Sequence, residues 1–511
     1  MSATMKATRP GTTTARTTTM KKLAAFVALV SLSGVLQAQT LVQLLENKDF
    51  AGAEALLKSG VDANQKSSDG TTALHWAAYY GNAELVKGLL RAEADPATHN
   101  DYGSSPMMEA ATVGNTELIK LLLDAGVDAE SANPEGQTAL MAVARTGNLD
   151  AAELLIKAGA DVNAAEKWGG QTALMWAAAR RQPEMVKLLV ERGAEIDKRA
   201  IDRNWERRVT AEPRVKEMFQ GGFTALLYAV REECLDCVKN LLAAGADINK
   251  PDPDNISPLI LALVNMRFDI AKYLVEQGAD INQWDYWGRT PLYAAVDTNI
   301  VPLSQRGDLP PVQLTTGLDV AKLLLEKGAD PNYYLKLAPL PREIAYDRAG
   351  DNPVMTTGST PLQRAAYGGD VDMMKLLLAS GADMSLGNIN GVTPLVAMTN
   401  KGGSRGRGKD EAKMMAGLQV LLEAGADINQ EGGINNETPL HTTARLNMLQ
   451  LVQFIVDHGG NLYAKDKNGL LPLDYATGKA DSQSFGNFDV VGELPEMAAL
   501  LQRLMEQKPQ Q

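Results

Sequence analysis

A hydroxyl residue, then a proline or alanine, then a large apolar residue recurs along this chain at a nearly constant interval. The hydroxyls are Thr72, Ser105, Thr138, Thr172, Thr224, Ser257, Thr290, Thr360, Thr393 and Thr438. Successive spacings are 33, 33, 34, 52, 33, 33, 70, 33 and 45 residues, so the longer gaps are one period plus insertions. A unit of this size cannot bury its own apolar face. Neighbouring units must stack and share one continuous core, and this requirement restricts the fold more than length or composition does.

Each unit has a local physical logic. The Thr or Ser hydroxyl caps a helix by accepting from its free N–H groups. Proline in the next place suits the first helical position, where no N–H is needed. A short helix then runs to a glycine such as Gly81, Gly114 or Gly147. A second helix carries apolar residues at helical spacing, Leu85, Val86, Leu89 and Leu90 in one unit and Leu118, Ile119, Leu122 and Leu123 in the next. It ends at glycines such as Gly126, Gly159 and Gly245, with Asp128, Asp161 and Asp247 two residues on to open a turn.

This grammar resembles the ankyrin repeat over roughly Leu41 to Ala476, because Thr-Pro-Leu-His, the paired helices, Gly-Ala-Asp and a hairpin loop recur in register. The resemblance implies an all-α repeat solenoid. Helix-turn-helix units stack and are joined by β-hairpin-like loops, about eleven to twelve of them including caps. Residues 39–511 form the solenoid, with an N-terminal cap over 41–65, repeats over about 66–466, and a degenerate C-cap with a terminal helix over 467–507. Insertions near 199–221 and 335–357 lengthen hairpin loops. Those near 300–316 and 403–412 lengthen the turn between two helices.

Residues 1–38 read as a targeting segment. Lys21 and Lys22 precede an apolar run from Leu23 to Leu36, and Ala38 offers a cleavage site before Gln39. The run is short for a membrane span, which needs ~20 apolar residues. A periplasmic or secreted location is expected, with an organellar transit peptide as the alternative and Met20 as an alternative start to Met1. No stable membrane insertion is expected once this segment is removed. Without these 38 residues, 45 basic side chains face 62 acidic ones, a net charge of −17. An acidic body of this kind is a poor phosphate binder, so nucleic acid is not an expected partner.

Few residues offer chemistry. Of four histidines, His75 and His441 occupy the fourth place of the Thr-Pro-Leu-His pattern, where the resemblance implies a structural hydrogen-bonding role. His99 and His458 complete no metal-ligand spacing, so neither a metal site nor a cofactor is expected. Gly403 to Lys409 matches the core of a phosphate loop, but Asp410 stands where Ser or Thr is required and no strand precedes it. Cys234 and Cys237 are the only cysteines. The repeat register puts Cys237 in the core and Cys234 on the surface of a turn, with a short-loop disulfide as the alternative.

The expected function is therefore non-catalytic: a scaffold for another protein. Its rivals are a thiol-redox enzyme using Cys234 and Cys237 and a secreted effector acting on host proteins. The resemblance implies that hairpin tips and first helices form the concave binding surface. Trp284, Tyr286, Trp287 and Arg289 fall on one such hairpin, and tryptophan, tyrosine and arginine dominate binding hot spots; packing of Trp284–Trp287 under the insertions nearest in sequence is the alternative. Tyr102 and Trp168 occupy comparable tips, and Tyr79 and Tyr80 end the first helix of their unit.

Overall fold

A computed structural model describes residues 39–207, 216–299, 314–337, 354–400, 409–479 and 492–508; for 203–207 and 216–220 it describes the backbone alone. Residues 1–38, expected to be a targeting segment, and most of the three later insertions lie outside these residues. The chain forms two compact units, one ending at Asn133 and the other starting at Pro134.

In the first unit the helices Leu41–Glu46 and Phe50–Lys58 make the expected cap. Two full helix pairs follow, Ala73–Tyr79 with Ala83–Arg91 and Pro106–Thr112 with Thr116–Asp124. The second unit repeats the theme from Ala139–Thr146 with Leu149–Lys157 through to Pro439–Arg445 with Leu449–Asp457. It closes with Pro472–Ala476 and a terminal helix, Pro495–Gln507. One insertion departs from the all-helical pattern among the described residues. Asp202–Arg207 and Lys216–Gly221 pair as an antiparallel ribbon, with Asp202 opposite Gly221 and Arg207 opposite Lys216.

The recurring hydroxyls cap as their sequence positions require. Ser105 accepts from the Met108 N–H at 3.2 Å, Thr224 from Leu227 at 3.3 Å and Thr360 from Gln363 at 3.2 Å. Asparagines cap the second helices, with Asn82 and Asn115 accepting from Leu85 and Leu118 at 3.1 Å each. Between the helices Gly147 takes φ +77°, a backbone that an L side chain rarely adopts. The core is apolar throughout both units. Leu85, Leu89, Leu118 and Leu122 are fully buried in the first, as are Leu155, Leu189, Leu241, Leu324 and Leu377 in the second.

A second set of bonds joins neighbouring units. The asparagine two residues after the turn aspartate uses both ends of its amide on the next repeat. Asn163 donates to Gly193 O at 3.0 Å and accepts from the Glu195 N–H at 2.7 Å. Asn64, Asn332 and Asn429 make the same pair of bonds. His75 and His441 act alike. The His75 Nδ1 accepts from the Thr72 N–H at 3.2 Å, and its Nε2 faces Ser104 O of the following loop at 3.0 Å. A carbonyl cannot donate, so Nε2 carries the proton and the ring is neutral. Burial holds both imidazoles below the usual histidine range.

Candidate functional site

The hairpin loops present the side chains that packing does not consume. In both units an N–H of the hairpin donates to a carbonyl of the preceding hairpin, four residues before the capping hydroxyl at Asp101, Tyr286 and Ile389 and five before it at Lys167. Asp101 donates to Asp69 O at 2.8 Å, Tyr286 to Asp254 O at 2.9 Å and Ile389 to Thr357 O at 3.1 Å. Each hairpin is thus tied to its neighbour through backbone, and the side chain at that place is free to point outward. In the second unit Trp168 (64% exposed), Tyr286 (57%), Ile389 and Ile434 stand four residues before Thr172, Thr290, Thr393 and Thr438. Ile389 and Ile434 were missed by a reading that searched for aromatics; counting back four from each hydroxyl would have found them.

The aromatic hairpin divides in two. Trp284 is 45% exposed and, like Tyr286, faces outward. Trp287 and Arg289 do not: each is 8% exposed, which corrects the expectation that all four residues line an exposed surface. Asp285 is fully buried beneath them. It accepts from the Trp287 and Arg289 N–H groups at 3.0 and 2.9 Å, and from Arg289 Nε at 2.7 Å. The guanidinium lies 5.1 Å from the Trp287 ring centroid. The Trp287 carbonyl receives the N–H groups of Lys336 and Leu337 at 2.9 and 3.1 Å, so the next hairpin covers it. Gly288, at φ +81°, allows that approach: a Cβ there would stand 2.6 Å from the Lys336 nitrogen.

In the first unit Tyr102 is 75% exposed on its tip. Tyr79 is exposed and Tyr80 half-buried at the end of Ala73–Tyr79, where they join Trp76 and Phe50 in a ring cluster.

The remaining candidates resolve as parts of the framework. Cys234 and Cys237 are joined by a disulfide, and Cys234 is buried, contrary to its expected surface place. Its Sγ accepts from the Cys237 N–H at 3.2 Å, standing where other units use asparagine as the helix cap. The capping asparagines Asn82, Asn115 and Asn148 stay half-buried, and the disulfide to the fully buried Cys237 is what draws Cys234 further in. Of the phosphate-loop-like motif only Lys409 is described, and it is buried. Its ammonium donates to Ala366 O and Ala397 O at 3.0 Å each, bracing the ends of two first helices. A second buried charge pair, Arg364 with Asp297, lies close to Tyr293, whose phenol burial raises strongly. No group of three or more His, Cys, Asp or Glu among the described residues could hold a metal ion, and no described helix is long and apolar enough to cross a membrane.

Comparison with known proteins fits this architecture. Models described as "Ankyrin repeats (3 copies)" match residues 41–133, 107–200 and 226–335, and one described as "Ankyrin repeat" matches 357–389 and 435–467. The internal gaps are 201–225, which holds the ribbon, 336–356, within the insertion expected near 335–357, and 390–434, the unit whose first helix is Pro394–Thr399. The chain is similar to mouse ankyrin repeat and SOCS box protein 9, 29% identical over 116 residues, which is 23% of this chain and 36% of that protein. It is similar also to mouse ankyrin repeat and SOCS box protein 16, 35% identical over 117 residues, 23% of this chain and 25% of that protein. The matched stretch thus spans 36% and 25% of these two relatives' lengths. Among solved structures, the human ASB11 ankyrin repeat domain aligns with 20% identity and a TM-score of 0.39, over 46% of this chain and 96% of that one.

Proposed function

Because the chain belongs to the ankyrin-repeat family, whose repeats are generally protein–protein interaction modules, we propose that it is a non-catalytic scaffold that holds another protein against its hairpin tips. One observation carries this reading. Trp168, Tyr286, Ile389 and Ile434 each stand exposed four residues before a capping hydroxyl, and Tyr286 and Ile389 do so on backbone bonded to the preceding hairpin. Large apolar side chains that recur in the open without serving the core mark interaction surfaces. Trp284 and, in the first unit, Tyr102 belong to the same class. Trp287 and Arg289 support the surface from below.

The test is affinity capture from an extracytoplasmic fraction with the full chain and with a variant carrying Trp168→Ser, Tyr286→Ser, Ile389→Ser and Ile434→Ser. The reading requires a protein held by the first and lost by the second at unchanged helicity. Equal capture by both sinks it.

Export belongs to the same proposal. The Lys21-Lys22 pair and the apolar run to Leu36 support it, and the Cys234–Cys237 bond suits an oxidising compartment. N-terminal sequencing of the native protein checks it. A start at or near Gln39 is expected, and a retained segment from Met20 would count against cleavage.

A further inference from the structure

Four rings meet at the turn end of the first unit. Trp76 stacks on Tyr80 at 5.7 Å between centroids, Tyr79 meets Tyr80 edge-on at 5.2 Å, and Phe50 meets Tyr80 edge-on at 5.6 Å. Beside them opens a cavity of about 520 Å³ lined by Tyr79, Tyr80, Val113, Asn115, Thr116 and Glu117. It is largely open to solvent, a groove for a side chain of a partner and not an enclosed ligand pocket.

The electrostatics of the place favour a cation. The cluster already takes one, since the Lys48 ammonium lies 5.4 Å from the Tyr80 centroid. Glu117 and Glu84 share a single counter-charge, Lys87, at 2.8 and 3.0 Å, and so leave one negative charge over. Residues 39–133 carry six basic side chains against fourteen acidic ones, a net −8. Two first helices, Ala73–Tyr79 and Pro106–Thr112, end here with their negative poles. Two positive poles also adjoin the rim, the starts of Ala83–Arg91 and Thr116–Asp124, and each is met by an asparagine cap, Asn82 or Asn115, and a glutamate in its first turn, Glu84 or Glu117.

We propose that this cavity receives a basic side chain of a polypeptide partner, an arginine in preference to a lysine. A planar guanidinium can lie on the exposed Tyr79 ring and still offer N–H groups to Glu117, whereas an ammonium is a compact, strongly hydrated point charge. The proposal rests on the reading of the chain as a protein-binding scaffold and adds the charge of the partner.

The test uses the full chain and two labelled peptides, hexa-arginine and hexacitrulline, followed by fluorescence anisotropy at roughly 0.15 M salt, where long-range attraction is screened. Hexa-arginine is expected to bind about tenfold or more tightly than its neutral isostere. Tyr79→Ala and Glu117→Gln should each weaken it by about fivefold or more, the scale of one cation–π or ion contact. Tyr79→Phe keeps the ring and should keep the binding. Asp124→Asn, an exposed carboxylate at the far end of Thr116–Asp124, should leave it within about twofold. Melting curves on each variant separate lost binding from lost folding, and Glu117→Gln provides a conservative arm should Tyr79→Ala fail to fold. Equal binding of the two peptides would overturn the proposal, as would unchanged binding in Tyr79→Ala or an equal loss in Asp124→Asn. Arginine amide binding as tightly as the peptide would do so too, since the site would then serve a free small cation. Failure here leaves the capture test on the second unit's tips untouched, so the two readings fail separately.

Discussion

Arg289 donates from Nε to Oδ2 of Asp285 at 2.7 Å, and the pair is buried directly beneath the exposed Tyr286. The two residues set the shape of the aromatic hairpin without belonging to its surface. Removing one partner of a buried pair strands the other charge, a loss of about 3–5 kcal/mol. Arg289→Ala should therefore destabilise the second unit by that order in urea unfolding. Arg289→Lys, with no fork to reach Asp285 and no plane to lie on Trp287, should recover only part of it.

Trp287→Ala should behave as a core truncation, with a stability loss of about 3–5 kcal/mol. Trp284→Ala and Tyr286→Ala, on the same hairpin, should stay within about 0.5 kcal/mol. Thermal melts of the three single variants read this directly. A small effect at Trp287 would mean that the next hairpin does not cover it.

The bridging asparagines predict a stability effect at a position that looks like an ordinary loop. Asn163→Ala removes two inter-repeat hydrogen bonds at once, and Asn429→Ala does the same. Each should cost about 1–3 kcal/mol, and Asn→Asp should not rescue, because a carboxylate cannot donate to Gly193 O or Gly459 O.

Stability should also fall on mild acidification. Burial holds His75 and His441 below their unfolded range, so the unfolded chain binds more protons once pH drops below about 6.5. Their contribution is fully present above that pH and is lost as pH falls toward the folded values. Unfolding free energies between pH 7.5 and 5 should decline, and His75→Gln with His441→Gln should flatten the decline, at some cost in stability at neutral pH. Glutamine is the natural occupant of the same place at Gln363, where its amide donates to Val354 O at 2.9 Å.

The repeat was legible because its physics is local. A capping hydroxyl, a helix-ending glycine and apolar residues at helical spacing act within a few residues of one another, and the period then multiplies the signal. What failed to be legible depends on partners distant in sequence. Trp287 looked exposed because the hairpin that covers it, Lys336 and Leu337, arrives across the 70-residue gap between Thr290 and Thr360, where the period is lost. Lys409 looked like part of a phosphate loop because its acceptors, Ala366 O and Ala397 O, are backbone atoms that no motif names. Cys234 looked like a surface turn residue because the asparagines at its register position form no disulfide, which here draws it inward. At the tips, the aromatic character of Trp168 and Tyr286 stood out, whereas Ile389 and Ile434 emerge only when the register is held fixed.

The most direct measurement is the affinity of a captured partner, titrated calorimetrically against three forms of the chain. These are the wild type, Trp168→Ser with Tyr286→Ser, and Ile389→Ser with Ile434→Ser. If the tips hold the partner, each double variant binds about tenfold or more weakly, a loss of about 1.4 kcal/mol or more, while melting as the wild type does. Affinities within about twofold of wild type in both variants would contradict the account.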